Sequence, residues 1–325
     1  MKLLVTGGAG FIGSQYVRSL LATERGKGVT QVTVLDSLTY AGNLENLAPV
    51  EADPRYAFVK GDINEATLVN SLMQEADAVI HFAAESHVDR SIAGSAEFIR
   101  TNVMGTHTLL EAARQTKLGR FVHVSTDEVY GSIAEGSWPE TDPLLPNSPY
   151  AASKASSDLL VRSYFRTHGL DTITTRCSNN YGPYQYPEKL IPLFATNLID
   201  GLQVPLYGDG LNVRDWLHVD DHCNGIHLAL TKGRAGEIYN IGGGTELNNL
   251  EMTRLILEDF GADWNTAVKP VEDRKGHDLR YSVDCRKAQE ELGYEPKVPF
   301  KDGLAETIQW YRDNPNWWRP LKDSK

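Results

Sequence analysis

Cysteine is scarce in this chain: Cys177, Cys223 and Cys285 are all it has in 325 residues. An odd number, so widely spaced, supplies no disulfide framework and fits a reducing compartment. Long apolar runs are missing too, and nothing approaches the ~20 residues of a membrane span. After Met1-Lys2, the apolar Leu3-Leu4-Val5 gives way at once to Thr6-Gly7-Gly8, too short for the core of a signal peptide, so a cytoplasmic setting is expected. Positive charge is in deficit, with 32 Lys and Arg against 43 Asp and Glu and a net charge of −11. That balance argues against a nucleic-acid partner, since duplex binding needs basic faces, but leaves room for an anionic substrate in a local basic pocket. Internal repeats, low-complexity tracts and flexible linkers are likewise lacking. With 41% hydrophobic and 23% charged residues, the chain can bury a large core as one α/β unit with a smaller appendage.

What the chain does have begins with a glycine-rich turn. Lys2–Thr6 reads as a short buried strand, followed by Gly7-Gly8-Ala9-Gly10-Phe11-Ile12-Gly13 and the helical pattern Val17, Leu20, Leu21. Gly7, Gly10 and Gly13 are spaced for a tight strand-to-helix turn that brings backbone close to a pyrophosphate at a helix N-terminus. A second strand, Gln31–Leu35, ends in Asp36, where a carboxylate accepts from an adenosine ribose and repels a 2′-phosphate. With no Arg at Ser37 or Leu38, NAD is favoured over NADP. Tyr56–Val59 is a third strand closing on Gly61-Asp62-Ile63, where Asp62 serves either an adenine amino group or the N-cap of the next helix. Ala78–Ala84 reads as the fourth strand and Arg120–Ser125 as the fifth. Between them, Glu97–Gln115 reads as one long helix with apolar positions Ile99, Val103, Leu109, Leu110 and Ala113. This alternation predicts a doubly wound parallel sheet, a Rossmann α/β fold, with ligands beyond the strands' carboxyl ends.

The fifth strand delivers Ser125-Thr126-Asp127-Glu128, and Tyr150-Ala151-Ala152-Ser153-Lys154 follows after a polar loop. Tyr150 and Lys154 lie one turn apart on one helix face. Before desolvation and the positive charge of the nicotinamide are counted, an ammonium ~4 Å from a phenol, at an effective dielectric of ~20, favours the phenolate by about 4 kcal/mol, or roughly three pKa units. With a nucleotide-sugar substrate, which the resemblance given below implies, Tyr150 takes a proton from the sugar C4 hydroxyl as hydride passes to NAD, and Lys154 also bonds the nicotinamide ribose. A C4 ketone acidifies the hydrogen on C5. Expelling the C6 hydroxyl then needs one base and one acid two carbons apart. Adjacent Glu128 (base at C5) and Asp127 (acid at C6) suit that division, because close negative charges in a closed site keep one carboxyl protonated.

After Lys154 a helix continues through Leu159, Leu160, Tyr164 and Phe165, and a strand, Thr172–Arg176, leads into Cys177-Ser178-Asn179-Asn180-Tyr181-Gly182-Pro183. From there Pro, Gly and aromatic residues multiply. Residues 1–178 are expected to form the cofactor domain, helped by about 213–241, and 179–325 mainly a smaller interleaved substrate-binding domain. Lys189, Arg214, Arg274 and His277 are candidates for a diphosphate, Tyr207 for stacking on a base, and Asn179 for phosphate or sugar. His218-Val219-Asp220-Asp221-His222-Cys223 offers two histidines at metal spacing, but Val219-Asp220-Asp221 fits a strand end running into a helix N-cap, so no metal is expected.

In their order, the glycine triplet, Asp36, Gly61-Asp62 and Tyr150-x-x-x-Lys154 resemble the extended short-chain dehydrogenase/reductase superfamily. Within it the chain is similar to the nucleotide-sugar 4,6-dehydratases, those acting on dTDP-glucose in particular. The similarity runs through Leu38-Thr39-Tyr40-Ala41-Gly42-Asn43, Ala83–Asp89, Asn179–Pro183 and Asp273–Asp278, and its most specific piece is Thr126-Asp127-Glu128. The resemblance implies NAD held also by Phe11, Ile12, Ser37, Leu38, Thr39, Ile63, Phe82, Ala83, Ala84, Ser86, Thr101, Ser125 and Asn180. It implies a dTDP-glucose substrate held also by Ser86, Leu190, Pro205 and Asn249, with Thr126 bonding the sugar at O4. It further implies a homodimer, through Glu97–Gln115 and Tyr150–His168. A 4-epimerase or decarboxylase of the same superfamily would use Tyr150 and Lys154 without the Asp127/Glu128 split, and a silent NAD-binding protein would use none of it.

Overall fold

The computed structural model describes residues 1–323. Strands β1 (Lys2–Thr6), β2 (Gln31–Asp36), β3 (Tyr56–Lys60), β4 (Ala78–His81), β5 (Arg120–Thr126) and β6 (Thr172–Cys177) are followed by β7 (Asn179–Tyr181), β8 (Val204–Tyr207) and β9 (Val213–His218). Then come β10 (Ile238–Ile241), β11 (Glu246–Asn248) and β12 (Val268–Val271). The main sheet has seven strands in the order β10-β6-β5-β4-β1-β2-β3, all parallel. Its strands read as nearly unbroken apolar runs because both faces are covered. Alternate side chains go to opposite cores: Leu3, Val5, Val32, Val34, Ile80, Val122 and Val124 to one, Leu4, Leu35, Val79 and Phe121 to the other. The helices Phe11–Ala22 and Val219–Lys232 cover the first face; Ala66–Gln74, Thr106–Thr116 and Pro149–His168 cover the second. This is the doubly wound α/β fold anticipated from the sequence.

A smaller body stands over the carboxyl ends of the strands. It contains a three-stranded sheet, β11-β9-β7, and the parallel pair β8–β12. Tyr181, Phe194, Trp216, Met252, Ile308, Tyr311 and Trp318 share its core.

Two expectations need correcting. β4 stops at His81 rather than Ala84, because residues 82–86 leave the sheet to wall a cavity. The helix expected over Glu97–Gln115 is helical from Ala96 to Thr116, but Ile99–Gly105 is a π-helical turn. Asn102 sits in that turn and bonds Glu85 through both its amide oxygen and nitrogen (2.8 and 3.0 Å) and Ser153 Oγ (2.8 Å). The wider turn swings Ile99 outward, so it is 47% exposed rather than part of the core. Within residues 213–241, β10 joins the main sheet at its edge and the helix Val219–Lys232 covers one of its faces, while β9 pairs with β7 and β11.

Candidate active site

Strand order reverses between β1 and β4, and at that point, beyond the carboxyl ends, lies a cavity of about 370 Å³. Gly7 turns the chain there at φ 71°, and a Cβ on it would lie 2.4 Å from Ala83 N. A Cβ on Gly13 would lie 2.3 Å from Gly7 O, so helix and turn touch only because that side chain is missing. Gly10 caps the helix Phe11–Ala22 without any side-chain hydrogen bond, and the first turn holds no acidic residue. The orphan N–H groups of this turn, next to Phe11, Ile12 and Gly13 in the cavity wall, form a cradle for a pyrophosphate.

Asp36 also faces the cavity. Its carboxylate accepts from Ala9 N at 2.9 Å and Leu38 N at 2.8 Å, and burial raises its pKa against those bonds. Leu38 is the one expected cofactor residue outside the cavity wall: at φ 55° it packs on the core and lends only its backbone N–H to Asp36. Ser37, Thr39, Asp62, Ile63, Phe82, Ala83, Ala84, Ser86, Thr101, Ser125 and Asn180 all line it. Asp62 caps no helix, since Glu65 holds that place; it binds Arg100 at 2.8 Å and Asn64 N at 2.9 Å.

The same cavity receives Thr126, Asp127, Glu128, Tyr150 and Lys154. Thr126 ends β5 and caps the 3₁₀ turn Asp127–Tyr130, its Oγ1 accepting from Glu128 N at 3.3 Å. Gly131 closes that turn at φ 87°. The helix Pro149–His168 opens with Ser148 as N-cap (3.1 Å from Ala151 N) and Pro149 in its first turn, which puts Tyr150 at its mouth and Lys154 one turn inside.

Asp127 is only 2% exposed, and burial, then the charges of Glu128 and Asp215, push its carboxyl well above the usual range. Burial also raises Glu128, but Lys189, Arg214 and Arg274 pull it back toward ionisation. The two neighbours are thus biased apart, Asp127 toward the acid and Glu128 toward the base.

At Tyr150, desolvation decides the direction. Its phenol is raised, not lowered: burial dominates, Glu128, Cys177 and Asp127 add to it, and only a hydrogen bond with Thr126 opposes. The helix-spacing argument counted Lys154 alone. Lys154 Nζ donates to Val124 O at 2.8 Å, and burial lowers its own pKa to about 8.

Behind the site, Asp158 binds Arg176 Nε at 2.9 Å and lies 3.2 Å from His123 Nε2, tying the helix of Lys154 to β5 and β6. Burial would raise Asp158, but Arg176 and His123 overcome it and hold it at about 2. Asp158→Asn is expected to cost about 3–5 kcal/mol of unfolding free energy by leaving Arg176 buried and unpaired. A depressed carboxylate contributes above its unfolded pKa, ~3.9, and loses that contribution as pH falls through the folded one. The difference from the native chain in denaturant melts should therefore be full at pH 7 and shrink between about pH 4 and about pH 2.

Among the expected substrate residues, Ser86, Asn179 and Lys189 line the cavity, and Lys189 Nζ donates to Ser86 O at 3.1 Å. Leu190, Pro205, Tyr207, Arg214, Asn249, Arg274 and His277 do not line it. Arg214 is buried over the Tyr281 ring, 4.3 Å from its centroid, and donates to Asp278 O at 3.0 Å. Arg274 pairs with Asp89 at 2.6 Å beside Tyr207, and His277 with Asp273 at 2.7 Å. Leu190 and Asn249 open helices and Pro205 lies in β8. Sequence reasoning missed Glu188, Tyr184, Gln185, Tyr186 and Trp317, which are among the other residues of the cavity wall, and Asp215, which acts on Asp127. Only the aromatic density after Asn180 signalled any of them. His218 and His222 part company: His218 caps the next helix through Asp220 N, and His222 Nδ1 lies 2.8 Å from Asn180 Oδ1.

The family model described as GDP-mannose 4,6 dehydratase matches residues 4–307. A dTDP-glucose 4,6-dehydratase of Streptomyces antibioticus is 66% identical over 324 residues, covering 99% of this chain and 96% of that one. Among solved structures, a dTDP-glucose 4,6-dehydratase of Streptomyces venezuelae with NAD bound superposes with a TM-score of 0.97 at 64% identity, covering 99% of this chain and 100% of that one. The enzyme of the same description from Bacillus anthracis, also in complex with NAD, gives 0.92 at 48% identity, covering 99% of each chain.

Proposed function

The chain belongs to the GDP-mannose 4,6-dehydratase family, and from that premise we infer that it converts dTDP-glucose to dTDP-4-keto-6-deoxyglucose with NAD as a recycling cofactor. The observation that carries this reading is one cavity holding both the glycine cradle with Asp36 and the buried Asp127-Glu128 pair beside Tyr150 and Lys154. The cradle fits a dinucleotide: uncapped helix N–H groups would hold its pyrophosphate, Asp36 its ribose hydroxyls, and Lys154 its second ribose. NAD supplies the oxidation at C4 and, at the end, the reduction at C6. Tyr150 takes the O4 proton, Thr126 holds O4, Glu128 removes and returns the C5 proton, and Asp127 protonates the departing O6. Lys189, Arg214 and Arg274, the cations that act on Glu128, provide the positive field for a diphosphate at the open side.

A 4-epimerase or decarboxylase has no use for a buried acid next to a base. Incubating the purified protein with dTDP-glucose and, separately, UDP-glucose tests the reading. A 4-keto-6-deoxy product from the first is expected. A C4 epimer, or no turnover at all, would replace it with the epimerase or the silent NAD-binding reading.

Two finer points belong to the same reading. The free thiols of Cys177, Cys223 and Cys285 support a cytoplasmic reaction. Among the described residues no helix is long and apolar enough to cross a membrane. Exposed Ile99 (47%), Met104 (53%) and Leu159 (58%), on neighbouring helices, support a homodimer across that face, for which light scattering should return twice the chain mass.

A further inference from the structure

The carboxyl-terminal helix, Pro315–Asp323, is anchored on one side and reaches out on the other. Trp318 is fully buried in the core of the smaller body and donates its indole N–H to Tyr311 O at 2.8 Å. Arg319 pairs with Asp200 at 2.8 Å, where the helix Leu190–Ile199 ends. Neighbouring Trp317 is used differently. It lines the cavity, and its Nε1–H donates at 2.9 Å to Asn46 Oδ1, 271 residues away in the chain.

Asn46 carries that contact into the glycine turn. It is 1% exposed, and its Nδ2 donates to Ala9 O at 2.9 Å. An indole N–H only donates and a backbone carbonyl only accepts, so these two partners fix which end of the amide is which. Asn43 N donates to the same carbonyl at 3.0 Å, and Ala9 N donates to Asp36 Oδ2 at 2.9 Å. The peptide groups on both sides of Ala9, between Gly8 and Gly10, are thus tied down. A second strut runs beside the first. Arg18, on the helix that leaves the turn, lies 4.1 Å from the ring centroid of Tyr184, which packs edge-on against Trp317 at 5.6 Å. Tyr186 donates its hydroxyl to Leu321 O at 3.2 Å, and both residues belong to the same cavity wall.

None of these groups has a part in the proton steps, yet the chemistry gives them a task. A hydride taken from C4 and returned to C6 requires the cofactor to stay in place between the two transfers. A turn already held in its binding shape pays less to order itself around a ligand and lets that ligand go more slowly. On the reading that this chain is a dehydratase with a recycling cofactor, we propose that Trp317 is a positioning residue: through Asn46 it latches the glycine turn and slows the release of NAD between oxidation and reduction. The latch comes from the smaller body, so both bodies of the chain secure the cofactor.

The test loads the holoenzyme with radiolabelled NAD, adds a large excess of unlabelled NAD, and counts the label left on the protein with time. Trp317→Phe keeps an aromatic ring beside Tyr184 and Trp310 and removes the N–H. It is expected to release label about tenfold faster than the native chain, the scale of one buried hydrogen bond lost with its acceptor left unpaired. The half-saturating NAD concentration should rise by the same factor. Asn46→Ala should release label at least as fast, and adding Trp317→Phe to it should change nothing further, because the two residues act as one strut. Release from Trp317→Phe at the native rate, or effects of the two substitutions that simply add, would overturn the latch. The label count is independent of turnover, so a native chain that forms no 4-keto-6-deoxy product would overturn the dehydratase reading alone.

Discussion

Glu128→Gln is expected to suppress exchange of the sugar's C5 hydrogen with solvent deuterium by about 10³–10⁴, the range of a lost general base. The substitution is nearly isosteric and keeps the turn, because it is the backbone N–H of residue 128 that binds Thr126. What it removes is a carboxylate poised by opposing forces. Burial raises its pKa, which makes it a stronger base, while Lys189, Arg214 and Arg274 hold enough positive potential nearby to keep it ionised. A base must be deprotonated to act, so native exchange should fall as pH drops through that raised pKa, and the variant should lose this acid limb. Removal of the O4 proton by Tyr150 should survive, because the charge of Glu128 pushes the phenol upward and its loss makes ionisation easier. Mass spectrometry of product formed in deuterium oxide reads the outcome. Deuterium at C5 at the native rate in Glu128→Gln would remove Glu128 as the base.

Much of this site was legible because its chemistry is local. The Gly7-Gly10-Gly13 turn, Asp36 at the end of β2, and the short intervals Thr126–Glu128 and Tyr150–Lys154 each need only neighbouring backbone to take their positions. The illegible parts depend on contacts far along the chain. The π turn at Ile99–Gly105 follows from bonds of Asn102 to Glu85 and Ser153, and no periodicity encodes those partners. β9 looks like any sheet strand, and only its pairing with β7 and β11 takes it out of the main sheet. The raised phenol of Tyr150 was hidden for a related reason: helix spacing reports the Lys154 neighbour, whereas burial and the approach of Asp127 and Glu128 are tertiary facts. The cavity wall also takes in Trp317, more than 300 residues along the chain from the turn at Gly7.

Asp127→Asn separates the two stages of the reaction. Water loss is expected to slow by about 10²–10³, and C4 oxidation far less. The reasoning begins with what asparagine keeps. Its amide oxygen can still accept from Thr126 Oγ1, so the end of β5 and its cap are preserved. It has no acidic proton to give to O6, however, and the leaving group must depart as hydroxide or wait for solvent. Oxidation at C4 depends instead on Tyr150, and a neutral amide leaves that phenol in much the same field as the protonated carboxyl it replaces. In a single turnover the reduced nicotinamide should therefore accumulate, visible as its near-ultraviolet absorbance, where the native enzyme passes through it quickly. The pH dependence gives a second reading. Native water loss needs Asp127 protonated and should weaken as pH climbs through its raised pKa, while the residual rate of the variant should lack that step. Equal slowing of oxidation and water loss, with no accumulating reduced cofactor, would mean that Asp127 shapes the site and that the proton for O6 comes from elsewhere.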